Sequence, residues 1–313
     1  MVTQTTIQSC IKQLNNENFY AKNIQNSIFS KLRFLNYCLS IIKYESYFYL
    51  AHGIYTRTSN EIIESLKNKI EHKILLTPNK QKIDCWDINP KKYDNYIIIC
   101  NGIGNEKSNP AMQNAYLKFI ENGWGVLAFD YRGRGKSDGF FCQKNAYEDT
   151  LAVWHYLQNK GINNFNITIL GHSLGAGVAI DFASKHPMAQ VILVNPFNKA
   201  ADMVRHFSTK LLLPTFIKKS IKNLPDFLIP IKNKFKNDDY LKKVYAPTLI
   251  LHNKQDNTIP VGLCRKLYSK NKDKNNLTYL EMDGHNHEID NDKIEICLNF
   301  MKNSHLWLFN KTR

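Results

Sequence analysis

The stretch Gly171-His172-Ser173-Leu174-Gly175 constrains the fold more than any other part of the chain. An apolar run, Ile167-Thr168-Ile169-Leu170, leads into it, and a small-residue run with Ala176, Gly177 and Ala179 leads out. The pattern predicts a strand that turns sharply into a helix, with Ser173 at the apex. A residue at such a turn adopts a strained backbone conformation, and its neighbours two positions either side must be small or collide across the turn. Small residues in the outgoing helix let it lie close on a sheet. The serine hydroxyl then stands above the strand end, next to the N–H groups of the helix N-terminus.

The rest of the chain supplies the sheet. Lys73–Thr77 and Lys82–Ile88, separated by Pro78-Asn79-Lys80, read as a hairpin. Further apolar runs lie at Tyr96–Cys100, Gly125–Phe129, Gln190–Val194, Thr248–His252 and Leu277–Leu280. Helical patterns fall at 146–158, from the serine turn to about Lys185, and at 291–302. Apolar strands alternating with helices predict an α/β fold, with a mostly parallel sheet covered by helices on both faces. Residues 1–70 are expected to form a helical N-terminal extension, with Ile24, Ile28, Leu32 and Leu35 on one helical face. Lys31, Arg33 and Lys43 flank apolar residues there, so a membrane-surface helix is the alternative to packing on the main body. Residues 71–313 form the main domain.

A serine hydroxyl is a weak nucleophile and needs a base, which in turn needs an orienting acid. After a turn of this kind the expected order is serine, acid, histidine, each at the carboxyl end of a strand. Asp256 follows the strand 248–252 after Asn253-Lys254-Gln255. Asp238 and Asp239, in a Lys-rich stretch, are weaker candidates. For the base, His285 is preferred to His287, because Gly284 offers a sharp turn that brings the imidazole back over the sheet. Two N–H donors must face the developing oxyanion. The Leu174 amide is one, and Ile103, in Asn101-Gly102-Ile103-Gly104-Asn105, is the choice for the other.

From about residue 71 onward the chain resembles an α/β-hydrolase. It is similar to the branch holding bacterial serine-hydrolase relatives of monoacylglycerol lipases and eukaryotic protein depalmitoylases. The residues that carry this are Cys100–Asn105, Phe129-Asp-Tyr-Arg-Gly-Arg-Gly-Lys-Ser137, Gly171–Gly175, Asn195-Pro196-Phe197, Leu251–Asp256 and Gly284-His285-Asn286, in the family's order. The resemblance implies the α/β-hydrolase fold with a short helical cap at 199–243. It implies Ser173, Asp256 and His285 as nucleophile, acid and base, and Leu174 and Ile103 as oxyanion donors. It implies Asp130–Gly135 as a structural turn near the site. Where the family has His-Gly before the oxyanion loop, this chain has Asn101-Gly102, and Asn253 replaces the usual Gly before the acid's loop.

The implied reaction is hydrolysis of carboxylic esters or thioesters of acyl, lipid-like substrates through an acyl-enzyme, with no metal and no cofactor. A depalmitoylase or acyl thioesterase is the near alternative and a serine peptidase a further one. Outside catalysis the alternative is a membrane-surface binding module on a hydrolase scaffold. The net charge of +15 draws attention to anionic partners. Segment 199–243 holds 11 Lys+Arg against 4 Asp+Glu, together with Phe207, Leu211–Leu213, Phe216, Phe227 and Leu228. An apolar, basic lid suits an acyl chain beside an anionic group, such as a phospholipid surface. No nucleic-acid recognition motif accompanies the charge. Seven cysteines without C-x-x-C spacing point to a reducing compartment. The first ten residues lack a basic start with an apolar run, and no stretch offers ~20 apolar residues. A cytoplasmic location is therefore the expectation.

Overall fold

Five strands in the middle of the sheet are buried on both faces, and their alternate residues sort into two hydrophobic layers. In this computed structural model the described residues are 62–310, apart from 90, 103–104, 211–214, 216–218, 220–221, 224 and 227–232; for 210 and 304–310 only the backbone is described. The expected helical face of Ile24, Ile28, Leu32 and Leu35, and Ile103, lie outside the described residues.

The strands are β1 (Ile70–Leu76), β2 (Lys82–Ile88), β3 (Tyr96–Cys100), β4 (Gly125–Phe129), β5 (Ile167–His172), β6 (Gln190–Val194), β7 (Thr248–Asn253) and β8 (Leu277–Met282). They form one sheet in the order β1-β2-β4-β3-β5-β6-β7-β8. β2 runs antiparallel to both β1 and β4, and β4 through β8 are parallel. The hairpin and the parallel sheet match the expectation from sequence, with β5, β7 and β8 running one or two residues further than their apolar runs.

The helices are α1 (Glu64–Lys67), α2 (Pro110–Glu121), α3 (Gln143–Asn159), α4 (Leu174–Ala183), α5 (Ala200–Lys210), α6 (Asn237–Leu241), α7 (Val261–Ser269) and α8 (Asn291–Asn310). One layer joins Ile98, Leu127, Ile169 and Leu193 to Val153 and Leu157 of α3 and to Ala179 and Ile180 of α4. The opposite layer joins Ile97, Ile99, Val126 and Ile192 to Tyr116 and Phe119 of α2 and to Ile294 and Leu298 of α8. Residues one apart in these strands thus face different helices, as a sheet buried on both sides requires. α2 has a strong sequence signature: Asn109 caps it by accepting from the Ala111 amide at 2.9 Å, and Pro110 opens its first turn.

The start of the described chain docks on this helix. Leu66 is fully buried, and the Ile63 amide donates to Gln113 Oε1 at 2.8 Å. In the cap region α5 and α6 are described, and ion pairs restrain them, among them Lys199 with Asp226, Arg205 with Asp202 and with Asp226, and Lys270 with Asp238. Among the described residues no helix is long and apolar enough to cross a membrane.

Candidate active site

Ser173 sits between β5 and α4 with φ 55° and ψ −120°. That left-handed backbone is costly for a residue with a side chain, on the order of 1–3 kcal/mol. The surroundings enforce it. The Ser173 amide donates to Val194 O at 2.9 Å, and its carbonyl accepts from the Ala176 amide at 3.1 Å. A Cβ on Gly171 would collide with the Gly175 carbonyl and the Ala176 backbone, and one on Gly175 would strike the Cys100 carbonyl. The two glycines of the motif are therefore fixed by close backbone approach, and α4 begins at the residue after Ser173. The Leu174 amide lies at that helix start. The loop after β3 closes on the same point: a Cβ on Gly102 would come within 3.3 Å of Ser173 Cβ.

Asp256 lies just after β7, its carboxylate fully buried. Oδ1 accepts from the amides of Thr258 at 2.7 Å and Ile259 at 3.0 Å. Oδ2 is 2.7 Å from Nδ1 of His287. Burial alone would raise this carboxyl, but the His287 hydrogen bond and charge, with the two amides, outweigh it and hold Asp256 below its ordinary value.

The histidine that meets Asp256 is therefore His287, and the preference for His285 is corrected. Gly284 does make the sharp turn, with φ 111°. That turn is pinned on Gln255, whose side chain accepts from the Gly284 amide at 2.6 Å. It leaves His285 exposed, with Nδ1 3.2 Å from the Gln255 carbonyl. The chain returns over the sheet two residues later, so the imidazole that comes back belongs to His287.

Several residues with no expected role hold that loop. Asn195, at φ 50° after β6, donates from Nδ2 to the His287 carbonyl at 2.7 Å. His172, the residue before the serine, places Nε2 2.7 Å from the same carbonyl and its ring 4.9 Å from the His287 ring. Because a carbonyl only accepts, Nε2 of His172 carries the proton. Burial first, then the neighbouring His287 charge, pushes the His172 imidazole below its ordinary value, so it stays neutral. Lys293, in the first turn of α8, donates from Nζ to Asn286 O at 2.8 Å and Glu288 O at 2.5 Å. Asn195-Pro196-Phe197 was a visible landmark, but its role depends on a partner 92 residues away. Asn253, which stands where the family has Gly, keeps an ordinary strand backbone at the end of β7 and donates to Asp283 O at 3.2 Å.

The loop after β3 is tied on both sides. Asn105 Nδ2 donates to Glu288 Oε2 at 3.0 Å, linking it to the histidine loop. Lys107 Nζ is buried between Asp84 and Asp130, at 2.6 and 2.5 Å, and its amide donates to Asp130 Oδ1 at 2.7 Å. Arg132 likewise bonds Asp149 and Glu148. The Asp130–Gly135 segment thus acts as scaffold, as expected.

Comparison with known proteins agrees with this architecture. The family described as "Serine aminopeptidase, S33" matches residues 91–240. An uncharacterized protein of Acanthamoeba polyphaga mimivirus is 31% identical over 216 residues, covering 64% of this chain and 69% of that one. The lysophosphatidylserine lipase ABHD12 of Macaca fascicularis is 33% identical over 185 residues, covering 55% of this chain. The matched stretch spans 44% of that lipase's length. Among solved structures, the esterase Pf2001 of Pyrococcus furiosus superposes with a TM-score of 0.64 at 20% identity, covering 80% of this chain and 95% of that one. An alpha-beta hydrolase of Vibrio vulnificus superposes with a TM-score of 0.61 at 18% identity, covering 82% and 91%.

Proposed function

Because the chain belongs to the α/β-hydrolase superfamily of serine hydrolases that act on esters, we propose that it cleaves acyl esters through Ser173, His287 and Asp256. The observation that carries this is the 2.7 Å bond between Asp256 and His287 above the strand ends, beside the strained serine turn. With Nδ1–H held by Asp256, the imidazole presents Nε2 as its basic nitrogen. Ser173 Oγ attacks the acyl carbon while His287 takes its proton. The tetrahedral oxyanion is held by the Leu174 amide at the start of α4. Collapse expels the alcohol, which takes the proton from His287, and leaves an acyl-serine. Water, deprotonated by His287, then releases the acid and regenerates Ser173. Asp256 fixes the tautomer and stabilises the imidazolium throughout.

For substrate class we infer a single-chain acyl ester with an anionic neighbour, such as a lysophospholipid. Two observations support this. The name of the ABHD12 relatives gives them a lysophosphatidylserine substrate, and segment 199–243 keeps a surplus of basic residues after its acidic residues have found cationic partners. The aminopeptidase description of the family favours an aminoacyl substrate as the second reading.

The test is labelling with a fluorophosphonate probe, wild type against Ser173→Ala, followed by a panel of lysophospholipids, neutral esters, acyl thioesters and aminoacyl anilides. Labelling confined to wild type and fastest turnover of anionic lysophospholipids are expected. A folded wild type that never labels sinks the catalytic reading, and preference for anilides replaces the substrate class.

A further inference from the structure

Three successive main-chain carbonyls, those of Asn286, His287 and Glu288, are each taken by a side-chain donor from elsewhere in the fold. The first and third are held by Lys293 Nζ, and the middle one by His172 and Asn195. Turn carbonyls on a protein surface are ordinarily left to water or local backbone, so a segment held at every carbonyl is a built feature.

Lys293 is the unusual member. It is fully buried, in the first turn of α8, where the helix dipole disfavours a cation. Asp290 meets its charge in an ion pair, with Oδ2 3.7 Å away, longer than a hydrogen bond. Its short hydrogen bonds go to two neutral carbonyls that bracket His287. Burying an ammonium costs several kcal/mol unless its protons are satisfied, and a methionine of similar length would fill the same space without that cost.

We propose that Lys293 is a positioning residue for the histidine base. It acts through the backbone on either side of His287 and fixes where the imidazole stands between Asp256 and Ser173. This rests on the reading of His287 as the base. Asp256 orients the ring from its Nδ1 side, and Lys293 fixes the backbone from which the ring projects. Without the clasp, the 286–288 segment loses two anchors and the ring samples positions that do not reach the serine proton.

The test is steady-state hydrolysis of p-nitrophenyl butyrate by full-length wild type, Lys293→Met and His287→Ala, with folding checked by circular dichroism. In Lys293→Met, kcat should fall about 10- to 100-fold, the loss expected when a reacting group is misplaced by about 1 Å, while KM stays within about twofold. The low-field proton resonance of the His287–Asp256 bond should broaden or vanish in the folded variant, which a merely structural lysine would not bring about. A folded Lys293→Met with wild-type kcat and an intact resonance overturns the proposal. If that variant does not fold, Lys293→Gln takes its place. Its side chain is too short to reach both carbonyls, so kcat must fall at unchanged KM, and full kcat is again fatal. The two readings fail separately. An active His287→Ala removes the base assignment, and the clasp with it. An inactive His287→Ala beside a fully active Lys293→Met removes the clasp alone.

Discussion

Replacing each of two nearby histidines with alanine separates the geometry from the sequence pattern. General-base assistance contributes about 10²–10⁴-fold in rate, or about 3–5 kcal/mol of barrier, so His287→Ala should lower kcat by at least that factor. It should also cost stability. Asp256 Oδ2 would lose its 2.7 Å partner while the carboxylate stays buried, keeping only the Thr258 and Ile259 amides on Oδ1. Leaving that acceptor unsatisfied costs about 1–3 kcal/mol. His285 is exposed and meets only the Gln255 carbonyl, at 3.2 Å. His285→Ala should therefore stay within about 0.5 kcal/mol in stability and keep its turnover. Ester hydrolysis and urea melts on the two variants decide it. A dead His285→Ala beside an active His287→Ala would refute the placement of the base, and with it the reasoning from the Asp256 contact.

Two further outcomes follow from buried charge. Lys107→Met leaves Asp84 and Asp130 facing each other without their cation; their side chains are 8% and 2% exposed, so a loss of about 3–5 kcal/mol is expected in denaturant melts. Asp256 has a folded-state value below its unfolded one, so it stabilises the fold above an unfolded value of ~3.9, and that contribution disappears as pH falls through the folded value. The drop in Tm between pH 5 and pH 3 should accordingly be smaller in Asp256→Asn than in wild type.

The parts of the site legible in the sequence are those set by short-range sterics. Gly171 and Gly175 are required by collisions within the turn itself or with the strand end beside it, so the motif and its flanking runs suffice to find Ser173. Asp256 follows a strand at a short loop's distance, which is also local. The histidine is different. Gly284 correctly signals a turn, but the residue that the turn delivers is set by Gln255, Asn195, His172 and Lys293, three of them far away in sequence. No periodicity carries that information. Helix α2 carries local signals too, in Asn109-Pro110 and the spacing of Met112, Tyr116 and Phe119. The polar anchors of the loop after β3, Lys107 with two aspartates from different strands, emerge only once β2 and β4 pair.

The left-handed backbone at Ser173 also makes the residue a gauge of foldedness. An unfolded chain has no reason to hold φ at 55°, and it lacks the helix that begins at the next residue. A serine-directed label would therefore tally native molecules one by one. Read along a denaturant series, the tally would coincide with loss of the helical signal if the turn melts with the sheet. It would run ahead of that signal if the 283–290 loop opens first, so one covalent mark would tell local loosening from global collapse.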